Sequence, residues 1–226
     1  MKIGAITIGQ APRVDVTADI MRLFPEGTEL LQRGGLDGLS REEIAAFAPQ
    51  EGDYVLVSRL VDGSSVTFAE RFILPRLQEA IYELEDAGCK FIMMFCTGTF
   101  PEDLKARHIP LIYPCKILER IAPIVSKDSN ILCITPSPLQ VEQCEKKWNG
   151  FVNKAKCISA SPYGDIEAVE AAAEEAKKYD ADLIILDCIG YSQKMKNMFV
   201  EKTGKLVLLP RTLLGRVAAE LVDVEV

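Results

Sequence analysis

The sequence predicts an α/β protein made of two similar halves, each a mostly parallel sheet flanked by helices. Three observations carry that expectation. Apolar runs of strand length alternate with helix-period segments from end to end. The runs are unbroken Ile, Leu, Val and Met, which suits parallel strands covered on both faces. Finally, "KFIMMFCTGTF" at 90–100 and "DLIILDCIGYS" at 182–192 align without gaps.

In chain order, strands are expected at 2–8, 53–58, 91–95, 111–113, 130–134, 155–159, 183–187 and 206–209. Helix starts carry capping-box patterns at Ser40-Arg41-Glu42-Glu43, Thr67-Phe68-Ala69-Glu70, Thr99-Phe100-Pro101-Glu102 and Ser137-Pro138-Leu139-Gln140. Gly88 and Gly204 stand where helices should end. Pro75 and Pro123 fall inside helical patterns and are expected to kink or interrupt them. Helices at 68–87 and 165–178 precede the two echoing segments. "QRGGLDGLS" at 32–40 has three glycines without phosphate-loop spacing and reads as a flexible approach to the helix at 41, or a lid.

Composition bounds the function. With 48% hydrophobic and 26% charged residues, the 226-residue chain has the profile of a soluble globular protein. A net charge of -7 gives no general attraction to nucleic acid or to an anionic membrane. No apolar stretch approaches a membrane span, and the first residues read as a strand rather than a signal peptide. The seven cysteines (89, 96, 115, 133, 144, 157 and 188) then suggest free thiols in a reducing, cytoplasmic setting. No C-x-x-C occurs and His108 is the only histidine, so no metal site of the usual spacing is expected. His108 itself reads as a surface residue.

The echo is the chemical clue. Each copy ends a strand on Cys-x-Gly, and ligands of open α/β sheets bind beyond the carboxyl ends of the strands. A helix start after Cys96 and after Cys188 would favour thiolate at both. Asp187 neighbours Cys188 but should point to the opposite face of an extended strand. Either cysteine alone is equally well a small residue at a tight turn; their matched placement favours a working pair. "TIGQAPR" adds Gly9 ending the first strand, Gln10 offering an amide, and Arg13, which could grip a carboxylate or simply be solvated. Thr97, Thr135 and Ser161 follow other strands and serve equally as carboxylate contacts or as caps, while Thr99 is already claimed by its capping box. Arg59 and Asp62 in "SRLVDGSSV" are further polar candidates. Neither a G-x-G-x-x-G nor a Walker A motif is present.

Together, "TIGQAPR", "GLDGLSREEI", "SRLVDGSSV", "FCTGTFP" and "LDCIGY" resemble the AroM family, and through it the aspartate/glutamate/hydantoin racemase superfamily. The resemblance implies two pseudo-symmetric lobes with a cleft between them: a first over 1–115, a second over 116–210, and a C-terminal helix at 211–226 packing back on the first. It implies cofactor-independent racemisation or isomerisation, with Cys96 and Cys188 exchanging a proton on opposite faces of a carbon. Gly9, Gln10, Arg13, Thr97, Thr99 and Thr135 would bind the substrate, a small carboxylate-bearing, anionic metabolite. No cofactor or metal is implied, and a homodimer is expected only from the frequency of two-fold oligomers. The flanking residues differ: Thr97 replaces the superfamily's Asn, and Ile189 replaces its Thr. A catalytically silent binding or regulatory protein is therefore the alternative, with decarboxylation or cis–trans isomerisation as an enzymatic variant. AroM proteins are associated with aromatic amino acid biosynthesis genes, which implies a metabolic role.

Overall fold

The computed structural model describes residues 1–126 and 130–222. The elements run β1 (Lys2–Thr7), α1 (Val14–Ile20), β2 (Glu29–Gly34), α2 (Arg41–Ala45), β3 (Val55–Arg59), β4 (Ser65–Ala69), α3 (Leu74–Asp86), β5 (Ile92–Phe95) and β6 (Leu111–Ile112). There follow α4 (Pro114–Ser126), β7 (Asn130–Thr135), α5 (Val141–Trp148), β8 (Lys154–Ser159), α6 (Ile166–Glu175), β9 (Leu183–Leu186), α7 (Gln193–Thr203), β10 (Leu206–Leu208) and α8 (Pro210–Glu220). The chain divides into two compact units, one of Met1–Pro114 with Leu214–Val226 and one of Cys115–Leu213. The division falls within α8; residues 223–226 of the expected C-terminal helix, like residues 127–129, lie outside the described residues. No described helix is long and apolar enough to cross a membrane.

Each unit contains one four-stranded sheet, all parallel, with orders β2-β1-β5-β6 and β8-β7-β9-β10. Numbered within its own sheet, each has the order 2-1-3-4. The echoing segments thus occupy equivalent places, β5 and β9, each the third strand of its sheet. The central strands are apolar throughout because helices cover both faces. In the second unit, Leu132, Ile134, Ile184 and Leu186 pack with Val169, Ala173 and Phe199 on one face. Ile131, Cys133, Leu183 and Ile185 pack with Leu118 and Trp148 on the other. Each fully buried Leu or Ile stabilises the fold by about 1.5–3 kcal/mol relative to exposure.

Several local expectations are corrected. The strand at 53–58 does not join a parallel sheet: β3 pairs antiparallel with β4. The lid-like 32–40 segment begins inside β2, whose Arg33 and Gly34 align with Ile6 and Thr7 of β1. The helix expected from 68 begins at Leu74, since Thr67 and Phe68 are paired in β4, and Thr67 caps nothing. Pro75 accordingly sits in the first turn of α3, where a missing N–H costs nothing; Pro123 does lie inside α4. No helix follows Thr99. The loop there is tied by tertiary bonds instead, with the Thr99 N–H donating to Tyr54 Oη at 3.2 Å and Tyr113 Oη donating to the Leu104 carbonyl. Ser40 forms its capping box with Glu43, and Ser137 accepts from the Leu139 N–H in a short 3-10 turn before α5. Gly88 and Gly204 take positive φ after α3 and α7.

Glu70, just beyond β4, carries a pH consequence. Its Oε1 is buried with no hydrogen-bond partner, and burial pushes its carboxyl from the ordinary 4.5 to about 7. Between those values the folded state holds a proton that the unfolded chain has released, so stability falls as pH rises through that window. Glu70→Gln is expected to flatten that fall in urea midpoints recorded from pH 4.5 to 7.5. Parallel curves for the two proteins would contradict the assignment.

Candidate active site

A 2-1-3-4 parallel sheet has its topological switch between strands 1 and 3, and the crevice for a ligand opens at their carboxyl ends. In the first unit those ends carry the Gly9–Arg13 loop, after β1, and Cys96, after β5. In the second they carry Thr135, ending β7, and Cys188, after β9. Sheet order alone therefore brings Gly9, Gln10, Arg13, Cys96, Thr97 and Thr99 to one edge of the first sheet. It brings Thr135 and Cys188 to the corresponding edge of the second.

The two thiols share a local geometry. Gly98 donates its N–H to Cys96 Sγ at 3.3 Å, and Gly190 donates its N–H to Cys188 Sγ at 3.4 Å. An N–H aimed at a sulfur fixes its rotamer and is a stronger bond when the sulfur is charged. Both cysteines are buried, as is Thr97. The helix dipole expected beside both thiols is present after only one of them: α7 starts at Gln193, capped by Ser192, whereas loop and turn follow Cys96.

Around Cys188 the second unit adds groups that spacing does not reveal. Tyr163 Oη lies 3.4 Å from Cys188 Sγ. A Cβ on Gly190 would sit 2.4–2.5 Å from the Tyr163 ring and hydroxyl, so only glycine admits that approach. Arg211 is 1% exposed; its Nε donates to the Ile189 carbonyl at 2.9 Å and its Nη2 to the Gly190 carbonyl at 2.7 Å. The turn bearing the thiol is thereby clamped by one guanidinium. Asp187 points to the opposite face from Cys188, as strand alternation requires. There its Oδ2 accepts from Lys147 Nζ and Trp148 Nε1, both at 2.7 Å, while Oδ1 is buried without a partner. Tyr191, beside the turn, is held far above its ordinary value by burial and then by the Cys188 sulfur. Its hydroxyl donates to the Ala160 carbonyl.

In the first unit the loop after β1 is a dense hydrogen-bonded knot. Asp37 accepts from the Ala11 and Gly34 N–H groups at 2.8 and 2.7 Å, and Gln10 links the Leu36 carbonyl to the Val61 N–H. A Cβ on Gly9 would stand 2.4 Å from Ser58 Oγ and 2.5 Å from the Arg59 carbonyl. Arg13 is neither solvated nor open-handed: its fork grips Asp15 at 2.9 and 2.8 Å, and Nη1 reaches Thr7 Oγ1. Arg59 also approaches Asp15, at 3.8 Å, while Asp62 pairs with Arg41. Thr135 Oγ1 donates to the Ser137 carbonyl at 3.1 Å, and Thr99 is exposed. His108 is exposed, its backbone N–H taken by Glu85.

Gly190→Ala is expected to push the Tyr163 ring off the Cys188 sulfur and to destabilise the protein by about 1–3 kcal/mol through overpacking. Urea denaturation and Cys188 alkylation rates check this. Unchanged values for both would remove the close approach from the account.

The fold is shared with several racemases and an isomerase of solved structure. Allantoin racemase from Pseudomonas fluorescens superposes with a TM-score of 0.61 at 16% identity, over 98% of this chain and 91% of that one. Glutamate racemase from Francisella tularensis, in complex with D-glutamate, gives 0.61 at 15% identity, over 98% and 80%. The maleate isomerase Iso from Pseudomonas putida gives 0.65 at 12% identity, over 99% and 94%. Within that fold the chain belongs to the AroM family, whose model, described as AroM protein, matches residues 3–222. No curated protein matches the sequence.

Proposed function

We propose that this AroM-family protein is a racemase or isomerase of a small carboxylate-bearing metabolite, working by proton transfer between Cys96 and Cys188. The observation that carries the reading is the matched pair of thiols. Each follows the third strand of a 2-1-3-4 sheet, at the switch point, and each receives the N–H of the glycine two residues on.

One thiolate removes the proton from the carbon beside the carboxylate, leaving an enediolate. The other thiol then delivers its own proton to the opposite face. The first cysteine ends as a thiol and the second as a thiolate, and exchange with solvent resets the pair. Such a carbon acid is weak, so donors must meet the charge that develops on the carboxylate. The backbone of the Gly9–Arg13 loop, the Gln10 amide, Thr97 and Thr99 are assigned to that task, and Thr135 joins them once its hydroxyl turns from the Ser137 carbonyl to the substrate. Arg13 contributes through charge and by shaping the loop, because Asp15 holds its fork. Tyr163 sets the position of the Cys188 sulfur. No residue in this scheme requires a metal or an organic cofactor.

A binding or regulatory protein on the same scaffold is the second reading. Ile189 favours it, since the superfamily's hydroxyl is here a buried apolar side chain, 2% exposed. Small carboxylates of the amino acid, hydantoin and unsaturated diacid classes, incubated with the protein in deuterated water, separate the readings. Deuterium incorporation or isomerisation of at least one compound is expected. If none reacts while several raise the melting temperature, the binding reading replaces the enzymatic one.

A further inference from the structure

On the face of the second sheet away from Cys188, three cysteines from three elements converge. Cys133 of β7 and Cys157 of β8 are aligned partners in the parallel ladder, and Cys144 reaches them from α5. Their three sulfurs all lie within 4.8 Å of one another. Cys133 is fully buried, and Cys144 and Cys157 are 5% and 7% exposed, leaving that edge as the way in. Leu118, Ile131, Trp148 and Ile185 belong to the same core. No pair of the three is closely spaced in sequence, so a search for short cysteine motifs passes over them.

We propose that Cys133, Cys144 and Cys157 form a three-coordinate thiolate site for a trivalent thiophilic metalloid ion, arsenic(III) being the representative. Sulfur ligands about 2.3 Å from a central ion stand roughly 3.4–4.0 Å apart. Small χ1 changes bring three sulfurs already inside 4.8 Å to that spacing.

Ligand number and charge select the ion. Zinc in structural sites takes four ligands, but the carboxylate oxygen beside the cluster, Asp187 Oδ2, is 3.7 Å from Cys144 Sγ and is already held by Lys147 and Trp148. Three thiolates would leave a monovalent ion with two net negative charges and a divalent ion with one. In an apolar core each uncompensated charge is costly. A trivalent ion leaves none, and its lone pair takes the place of a fourth ligand. With arsenous acid, three As–O and three S–H bonds break, and three As–S bonds and three water molecules form. No electron is transferred.

The test is an arsenite titration of the full-length protein with tris(2-carboxyethyl)phosphine as reductant, read by thiol-to-arsenic absorbance, intact mass and alkylation with peptide mapping. One arsenic per chain is expected, with Cys133, Cys144 and Cys157 the blocked members of the seven thiols. Cys144→Ala and Cys157→Ala should each weaken binding at least about 100-fold, whereas binding should persist in the Cys96→Ser, Cys188→Ser double variant. Zinc(II) should bind at least about 100-fold more weakly than arsenite. Blocking of other cysteines, absence of blocking, or zinc affinity equal to that of arsenite overturns the proposal. The mapping uses the wild-type protein, so a variant that fails to fold leaves the test intact.

Discussion

Cys96→Ser and Cys188→Ser are each expected to lower turnover of the responsive carboxylate by at least about 10²–10⁴-fold, the usual worth of a positioned acid or base. A serine hydroxyl has nearly the thiol's shape but is far less acidic, so the change removes proton transfer while sparing the packing. Melting temperatures should stay close to wild type, since each cysteine is a small buried residue whose replacement leaves only a minor cavity. The two variants should be similarly impaired in overall interconversion, because a full cycle uses both thiols. Wild-type turnover in either variant would exclude the two-thiol mechanism.

Arg211→Met is the second large effect, and it acts on both folding and the site. The guanidinium is buried and donates to the Ile189 and Gly190 carbonyls, which close the turn around Cys188. Methionine has similar length but no donors. Each carbonyl left buried and unpaired costs about 1–3 kcal/mol, so a stability loss of about 2–5 kcal/mol is expected in urea unfolding. Freed of its clamp, the turn no longer holds the sulfur beneath the Gly190 N–H. Turnover by the protein that remains folded should fall at least about tenfold. Arg211→Lys, keeping the charge but not the fork, should lie between the two. A stability change under about 0.5 kcal/mol, the range of ordinary surface substitutions, would show that the clamp is dispensable.

The fold was legible where burial is two-sided. All eight expected strands are present, because β1, β5, β7 and β9 need apolar residues on both faces and their runs stand out. β2 was not legible: "ELLQRG" is a half-exposed edge strand whose Gln and Arg break the apolar signal. β4 was read as a helix start because Thr67 and Glu70 fit a capping box, while local spacing says nothing of the antiparallel partner β3. The same limit explains Thr99, whose loop is held by Tyr54 from far away in sequence.

Of the candidate site, the placement of Cys96, Cys188 and the Gly9–Arg13 loop beyond the carboxyl ends of parallel strands was legible, because such strands deliver their loops to one edge. The roles of Arg13, Tyr163 and Arg211 were not. Each depends on a contact between elements: the Asp15 grip, the approach over Gly190, and the reach from α8 to the Cys188 turn. An arginine leading an apolar helix just after a strand was the one sequence trace of the Arg211 clamp. The three-cysteine cluster left no trace in spacing at all, since it assembles from two strands and a helix.

The most direct test of the central claim follows the label during racemisation or isomerisation in deuterated water, at low conversion. Two single-proton thiols acting from opposite sides predict deuterium in the product, donated by the second cysteine, and little in the recovered substrate, whose proton the first cysteine still holds. Equal label in substrate and product would contradict the account, because it would mean that one exchanging base serves both faces.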